Sequence, residues 1–141
     1  MRVLVWLFDI RKWQLVQNWR FKLDNGIEIV LPKGFRFDGA SVPRIFWAIL
    51  SPVGLLLIPG LIHDYGYRFN QIWHLNANGE IEPYMKQAGR KAWDNLFQSV
   101  GIQVNGFALI DFIAWVGVRA GGCFAWRKHR KEHEIPQPPD I

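Results

Sequence analysis

The strongest constraint on the fold is an Asp-Asn-Gly turn at residues 24–26, set between two short stretches of alternating apolar and polar residues. Asn-Gly readily adopts the positive φ angles that a tight β-hairpin requires. The alternation runs over residues 19–23 before the turn and, less strictly, over residues 27–31 after it. Because alternation places every second side chain on one face of a strand, the sequence predicts a half-buried antiparallel hairpin over residues 19–31.

The segments on either side of this hairpin predict the remaining elements. Residues 3–8 predict an earlier strand, because Asp9 ends the apolar run too early for a signal peptide and no small-residue cleavage site follows. Later apolar residues at helical spacing predict three helices, over residues 60–70, 83–100 and 105–125. The second helix is expected to begin at Pro83, after a polar loop from Trp73, and to end at Gly101.

Together these elements predict an α+β fold, with an N-terminal antiparallel β-hairpin or meander followed by a helical part. The length predicts a single α+β domain over residues 1–126, and residues 127–141 are interpreted as a basic and then proline-containing tail. The single cysteine, Cys123, excludes an intrachain disulfide. The basic residues behind the net charge of +5 are dispersed, and acidic residues offset the one cluster at 127–131, so no nucleic-acid partner is expected.

An uncharged stretch of 18 residues, 45–62, raises the question of a membrane span. Two prolines and two glycines interrupt it, and each break would leave backbone groups unpaired in hydrocarbon. We interpret it as a short helix, a loop and the approach to the next helix, part of which forms an apolar rim to a pocket.

Candidate chemistry begins where an imidazole and a carboxylate adjoin, at His63 and Asp64. Histidine is the side chain best suited to exchange a proton near neutral pH. If this helix and the next pack antiparallel, Asp94 reaches the His63 imidazole and orients it, as in a catalytic dyad. The simpler alternatives are that Asp64 is a favourable charge at a helix start and that Asp94 forms a surface ion pair with Arg90.

A second carboxylate, Asp38, lies in a predicted glycine turn with Gly39. Its carboxylate and a backbone carbonyl of that turn are hard oxygen ligands of the kind that calcium prefers. Asp64 points about 100° away from His63 around the helix and is able to take another partner. The alternative for Asp38 is a turn residue that accepts a hydrogen bond from its own backbone.

Three motifs carry a resemblance to known families. They read Phe-x-Phe-Asp-Gly-Ala-Ser-Val-Pro-Arg at 35–44, Ile-His-Asp-Tyr-x-Tyr-Arg at 62–68 and Arg-Lys-Ala-x-Asp-x-x-Phe at 90–97. This pattern resembles a domain family of unknown function that is common in bacteriophages and prophages. The same order of parts resembles the prokaryotic secreted phospholipase A2 family, whose motif His-Asp-Phe-Gly-Tyr-Arg-Asn is similar to residues 63–70.

The second resemblance implies a phospholipase A2-like pair of antiparallel helices and a calcium-dependent hydrolase of lipid esters, of phage or prophage origin. It implies that His63 is the general base acting through water, that Asp94 orients it, and that Tyr67 packs beside the pair. It further implies a calcium ion that polarises the ester carbonyl and stabilises the oxyanion. The calcium ligands implied are Asp38, Gly39 through its carbonyl, and Asp64.

Two alternatives stay open, because this chain opens with β-structure and has one cysteine where that family relies on disulfides. One is a catalytically silent phage structural or accessory protein that keeps the helical scaffold, and the other is a different metal-dependent hydrolase. The expected partners are phospholipid or a membrane surface and, for the structural protein, phage virion proteins. The expected location is the bacterial host cytoplasm or the phage particle.

A lipid-facing surface is expected within the uncharged stretch. A lipase must take its substrate out of a lipid aggregate, and apolar side chains beside the site lower the free-energy cost of that step. The alternative is that these side chains belong to the core. The residues expected to face lipid are Phe46, Trp47, Leu55, Leu56 and Leu57.

Overall fold

The computed structural model describes residues 3–5, 12–38, 57–106 and 108–140. Within these ranges the protein is a mixed α/β structure, in which antiparallel strands at the N-terminal side precede the first of three helices and two further strands lie between the first and second helices. The strands are β1 (Val3–Val5), β2 (Lys12–Leu15), β3 (Trp19–Lys22), β4 (Glu28–Leu31), β5 (Arg36–Asp38), β6 (Ile72–Leu75) and β7 (Ile81–Tyr84). The helices are α1 (Leu57–Phe69), α2 (Arg90–Asn105) and α3 (Ala108–Glu132).

The hairpin predicted at the Asn-Gly turn is confirmed. Strands β3 and β4 pair antiparallel, with Trp19 opposite Leu31 and Phe21 opposite Ile29. Gly26 has a φ of 86°, which a residue with a Cβ rarely adopts. Asn25 supports the same turn, because its side-chain oxygen accepts a hydrogen bond from the Ile27 N–H at 3.1 Å.

The polar loop expected from Trp73 is wrong, because that segment forms a second hairpin. Strands β6 and β7 pair antiparallel, with Trp73 opposite Pro83, and they extend the first hairpin into a sheet of order β3-β4-β6-β7. Pro83 therefore lies in a strand and does not begin a helix. β7 is at one end of this strand order, where a residue that lacks an N–H is tolerated.

A second sheet joins β1, β2 and β5 in the order β1-β2-β5. Of the strand predicted over residues 3–8, residues 3–5 form β1, which pairs with β2 so that Val3 lies opposite Leu15, and residues 6–8 lie outside the described residues. The backbone of Asp38, the last residue of β5, lies opposite Lys12 of β2. The backbone of the residue that precedes Gly39 is therefore held in a paired strand.

The boundaries of all three helices differ from the prediction. α2 begins at Arg90 and continues past Gly101 to Asn105, where Gly106, with a φ of 67°, donates its N–H to the Ile102 carbonyl at 2.9 Å. The left-handed conformation that ends the helix is therefore adopted by the second glycine. α1 begins at Leu57, three residues earlier than predicted.

α3 extends to Glu132, beyond the predicted end near residue 125 and through the position where the tail was expected to begin. Its last turns are attached to α1, because one terminal nitrogen of Arg130 donates to the carbonyls of Tyr67 at 2.7 Å and Arg68 at 2.9 Å. After the helix, residues 134–140 form no helix or strand, and Glu134 pairs with Arg68 at 2.7 Å.

Helix α1 is central to the core, since it contacts both other helices and the strands β5 and β6. Asn70, just after α1, contacts Trp93 near the start of α2, whereas His63 contacts Phe97 further along α2. The two helices therefore run antiparallel. They approach closely at Gly66, where an added Cβ would lie 2.1 Å from the Trp93 ring. In the described part of the chain, no helix has both the length and the apolar character needed to cross a bilayer.

Candidate functional site

His63 of α1 and Asp94 of α2 meet inside the helical part of the molecule. His63 Nε2 lies 2.8 Å from Asp94 Oδ1, which is a hydrogen-bond distance. The His63 side chain is 3% exposed and that of Asp94 is fully buried. The surface ion pair considered for Asp94 is therefore wrong, and the contact expected from antiparallel packing is present.

Two further side chains donate to the same carboxylate. The Tyr67 hydroxyl, one turn after His63 on α1, donates to Asp94 Oδ1. Arg119 of α3 donates through Nη1 to Asp94 Oδ2 at 3.1 Å. The His63 ring is covered by Tyr67 and Phe97, with ring centroids 4.0 and 5.4 Å away. All three helices thus contribute to one buried polar cluster, formed by His63, Tyr67, Asp94 and Arg119.

The environment sets the charge of each member of this cluster. Burial alone would raise the pKa of Asp94, but the hydrogen bonds from His63, Tyr67 and Arg119 outweigh it, so the pKa lies below its ordinary value. Burial lowers the pKa of His63, and its bond to Asp94 opposes this effect only in part. Burial and the adjacent carboxylate raise the pKa of Tyr67 well above its usual range. At neutral pH the carboxylate is therefore charged, and the imidazole and the phenol are neutral.

These charge states determine which nitrogen of His63 carries the proton. The ionised Asp94 accepts a hydrogen bond from the Nε2–H of His63. Nε2 therefore carries the proton of the neutral ring, and the lone pair is on Nδ1. An imidazole held in this tautomer by a carboxylate is able to accept a proton at Nδ1 and return it. The arrangement suits general-base chemistry at neutral pH.

Sequence reasoning missed the part of the cluster that α3 supplies. Arg119 is the one basic residue between residues 105 and 126, and a lone cation in such an apolar segment is a signal of a buried partner. Gly122 makes room for Tyr67, because an added Cβ would lie 2.5 Å from the Tyr67 hydroxyl oxygen. Arg90 donates to the Arg119 carbonyl at 3.2 Å, while its Nη1 is buried and has no hydrogen-bond partner among the described residues.

Asn70 aligns the two helices that carry the cluster. With a φ of 52°, it ends α1 in the left-handed region, where asparagine is tolerated. Its side-chain oxygen accepts hydrogen bonds from the Gly89 N–H at 3.1 Å and from Trp93 Nε1 at 3.0 Å. The end of α1 is thus joined to the start of α2, one turn before Asp94.

A cavity of about 350 Å³ lies between α1, α3 and strand β5. Asp64 and Tyr67 line it from α1, so the half-buried Asp64 faces a space that the neighbouring Tyr67 shares. The other elements contribute Arg36 and Phe37 from β5 and Lys128, His129 and Glu132 from α3. The cavity therefore combines acidic and basic side chains.

Several predicted site residues lie outside what the structure describes. The backbone of Asp38 ends β5, but its side chain is outside the described residues, as is Gly39. Among the residues expected to face lipid, Leu57 begins α1 with its side chain outside the description, and Phe46, Trp47, Leu55 and Leu56 lie wholly outside it. No group of three or more His, Cys, Asp or Glu side chains able to hold a metal ion occurs in the ranges the structure covers.

Comparison with known proteins shows the family of the chain. The profile of a protein family of unknown function, DUF1353, matches residues 13–116, and the chain belongs to this family. The uncharacterised protein y4jT of Sinorhizobium fredii (strain NBRC 101917 / NGR234) is 39% identical over 54 residues. That match covers 37% of this chain and 16% of the relative, so the chain corresponds to about a sixth of the relative's length. No solved structure matches the chain.

Proposed function

We propose that the protein hydrolyses carboxylic ester bonds of lipids, with His63 as the general base and Asp94 as the residue that orients it. The observation that supports this most strongly is the 2.8 Å contact between His63 Nε2 and Asp94 Oδ1 across two antiparallel helices. The phospholipase A2 family, which residues 63–70 resemble, has the same order of parts. The proposed phage or prophage origin rests on the sequence resemblance alone.

The chemistry follows from the tautomer of His63. A water molecule at Nδ1 transfers a proton to that nitrogen while its oxygen attacks the ester carbonyl carbon. Asp94 stabilises the imidazolium that forms, since its carboxylate already accepts a hydrogen bond from the Nε2–H of His63. The imidazolium returns the proton to the leaving alkoxide as the ester C–O bond breaks. The products are a carboxylic acid and an alcohol, and His63 is again neutral.

Calcium is the proposed cofactor. Asp64 lines the same cavity as Arg36 and Phe37, and Asp38 is the next residue along strand β5. Two carboxylates and the Gly39 carbonyl would supply about half of the six to eight oxygen ligands that calcium takes. A bound calcium ion would polarise the ester carbonyl and stabilise the oxyanion. The proposal is supported by the position of Asp64 at this cavity, and it requires the Asp38 side chain and Gly39, which lie outside the described residues, to reach the same space.

A second candidate is a catalytically silent phage structural or accessory protein that associates with virion proteins. The observation that favours it is the burial of the cluster, since His63 is 3% exposed and Asp94 is fully buried. A buried carboxylate with three donors is also a stable structural arrangement, because each donor satisfies part of its hydrogen-bonding capacity. In that case His63 would hold α1 against α2 and would transfer no proton.

The deciding experiment measures ester hydrolysis by the unmutated protein on short-chain and long-chain phospholipids, with calcium and with chelator. We expect cleavage that requires calcium. His63→Gln should lower kcat by about 10² to 10⁴, because glutamine fills the space but does not accept and return a proton. The matched control is His74→Gln, which changes a partly buried histidine of β6 that pairs with Glu82 and is not a member of the cluster, and it should keep full activity.

The two candidates give opposite results. For a hydrolase, His63→Gln should retain its fold while activity per folded molecule is lost. If the unmutated protein cleaves none of these esters, or if His63→Gln lowers the melting temperature and leaves activity per folded molecule unchanged, the structural candidate replaces the hydrolase.

A further inference from the structure

Helix α3 has two apolar faces, and the part of the chain that the structure describes covers only one of them. The inner face carries Ala114, Val118 and Gly122, which are buried. The outer face carries an apolar stripe, defined here as Phe112, Val116, Ala120 and Phe124, with one residue every fourth position. Phe112 is 50% exposed, Val116 44% and Phe124 76%. Single exposed apolar residues are common on protein surfaces, but a row of four along one helix face marks a contact surface.

The stripe leads directly into a basic cluster at the C-terminal end of the same helix, Arg127, Lys128 and Lys131. The acidic residues nearby are already engaged, since Glu134 pairs with Arg68 at 2.7 Å and Glu132 with Lys128 at 3.9 Å. Among the described ion pairs, none involves Arg127 or Lys131, and both side chains are exposed. A helix face that is apolar and then basic is the pattern of a segment that lies on an anionic membrane.

We propose that the outer face of α3 docks on an anionic lipid surface, with the apolar stripe among the acyl chains and the basic cluster at the headgroups. Charge selects this occupant, because the formal net charge of +5 attracts anionic lipid and opposes association with a second copy of the chain. The helix lies along the surface and does not cross it. The inference rests on the proposed function, since a lipid-ester hydrolase has to meet its substrate at such a surface.

The docking helix also contacts the buried polar cluster. Arg119, one turn before Cys123, donates to Asp94, and Gly122 accommodates the Tyr67 hydroxyl. The lipid surface would therefore lie about one helix diameter, roughly 10 Å, from the carboxylate that orients His63. The docking surface and the proposed base lie on opposite sides of this helix, so the docked face would hold the protein at the lipid surface and would not itself present an ester to His63.

The test measures sedimentation of the full chain with vesicles made of ether-linked lipids, which contain no ester to hydrolyse. We expect binding to vesicles containing phosphatidylglycerol and much weaker binding to pure phosphatidylcholine. Phe124→Ser should weaken binding roughly tenfold or more, because the variant lacks the large apolar side chain whose transfer from water to lipid favours binding. The double variant Arg127→Glu with Lys131→Glu should abolish the preference for phosphatidylglycerol. The matched control is Ile135→Ser, an equally exposed apolar residue at 79% that lies outside the helix.

Equal binding by the Phe124→Ser and Ile135→Ser variants, or no binding by the unmutated protein, would overturn the docking surface. A dimer in sedimentation velocity that Phe124→Ser dissociates would also overturn it and would identify the stripe as an interface between copies. Failure of the proposed function is distinguishable, because vesicle binding needs no hydrolysis and His63→Gln should bind like the unmutated protein. In turn, Phe124→Ser should keep any activity on a water-soluble short-chain ester.

Discussion

The four-stranded sheet and the three-helix contact bury different kinds of side chain. Strands β4 and β6 bury Ile29, Val30, Leu31 and Ile72, each at most 1% exposed and all apolar. The helices bury an equally inaccessible carboxylate, Asp94, at the point where α1, α2 and α3 meet. The sheet needs only apolar volume at these positions, whereas the helices need a donor at each carboxylate oxygen.

This difference predicts different responses to substitution. An apolar core adjusts to a lost methyl group by partial collapse, and the cost depends on the cavity that remains. A buried charge has no such adjustment, because donors left without their acceptor keep the full cost of desolvation. The helical contact should therefore depend on single polar groups to a degree that the sheet does not.

The largest expected effect is that of Asp94→Ala. It removes the acceptor for His63, Tyr67 and Arg119 together and should lower the free energy of unfolding by about 3–5 kcal/mol. Ile29→Ala, a deletion in the sheet, should cost about 2–5 kcal/mol through its cavity. Urea unfolding of both variants tests the comparison. Asp94→Asn should cost less than Asp94→Ala, since the amide oxygen still accepts. A loss below 1 kcal/mol for Asp94→Ala would contradict the dependence on a single carboxylate.

The next effect is steric and concerns the close approach of α1 and α2. Gly66→Ala places a Cβ 2.1 Å from the fully buried Trp93 ring, so the helices must separate. The expected loss of unfolding free energy is about 1–3 kcal/mol. Gly60→Ala is the control on the same helix, because its added Cβ meets nothing within 4 Å. Thermal unfolding of the two variants should separate them clearly, and equal melting temperatures would show that the Trp93 contact has room to relax.

A smaller effect is expected from pH, because burial and the Asp94 bond act on His63 in opposite directions. The pKa of His63 is lowered in the folded chain, so below the ordinary histidine value of 6.5 the unfolded chain binds the proton more readily. Stability contributed by neutral His63 should be complete above pH 6.5 and decline as the pH falls below it. Asp94 contributes nothing in this window, since its pKa lies below 3.8. Unfolding curves between pH 7.5 and 5 should show the decline, and His63→Gln should reduce it.

The smallest effect is expected at the surface of the sheet. Arg20 and Glu28 are 4.0 Å apart across the first hairpin, with side chains 51% and 39% exposed. Exposed ion pairs contribute about 0–1 kcal/mol, because water and salt screen them. Glu28→Gln should therefore change the urea midpoint very little. A loss comparable to that of Asp94→Ala would remove the distinction between buried and exposed charge on which the comparison rests.

Local patterns predicted the first hairpin correctly but not the second. The turn at residues 24–26 was readable because Asn-Gly favours positive φ angles within the turn itself. Strand β7 was not readable, because Pro83 is a common helix-start residue and is tolerated in a strand only at a sheet edge. Whether a strand is at an edge depends on which segments pair, and that is a property of the folded chain.

The candidate site likewise contains some residues that local sequence patterns indicated and others that they did not. The sequence indicated His63 and Asp94 from their residue types and from the order of two helices, and it indicated Tyr67 through a family resemblance. Arg119 could not be assigned to the site, since it is 25 residues from Asp94 and its own segment shows only an apolar helix with two charged residues, Asp111 and Arg119. The role of Gly122 was equally unpredictable from the sequence, because that role is to leave space for a side chain of another helix.

By itself, the sequence determined the elements whose physics is local: the Asn25-Gly26 turn, the alternation of the strands beside it and the helical spacing around His63 and Asp94. Only the tertiary structure decided that three helices meet on one carboxylate, and that the inner face of α3 packs while the described residues leave its outer face exposed. The reason is that backbone conformation responds to neighbours along the chain, whereas burial and the charge state of Asp94 depend on groups brought together from distant segments.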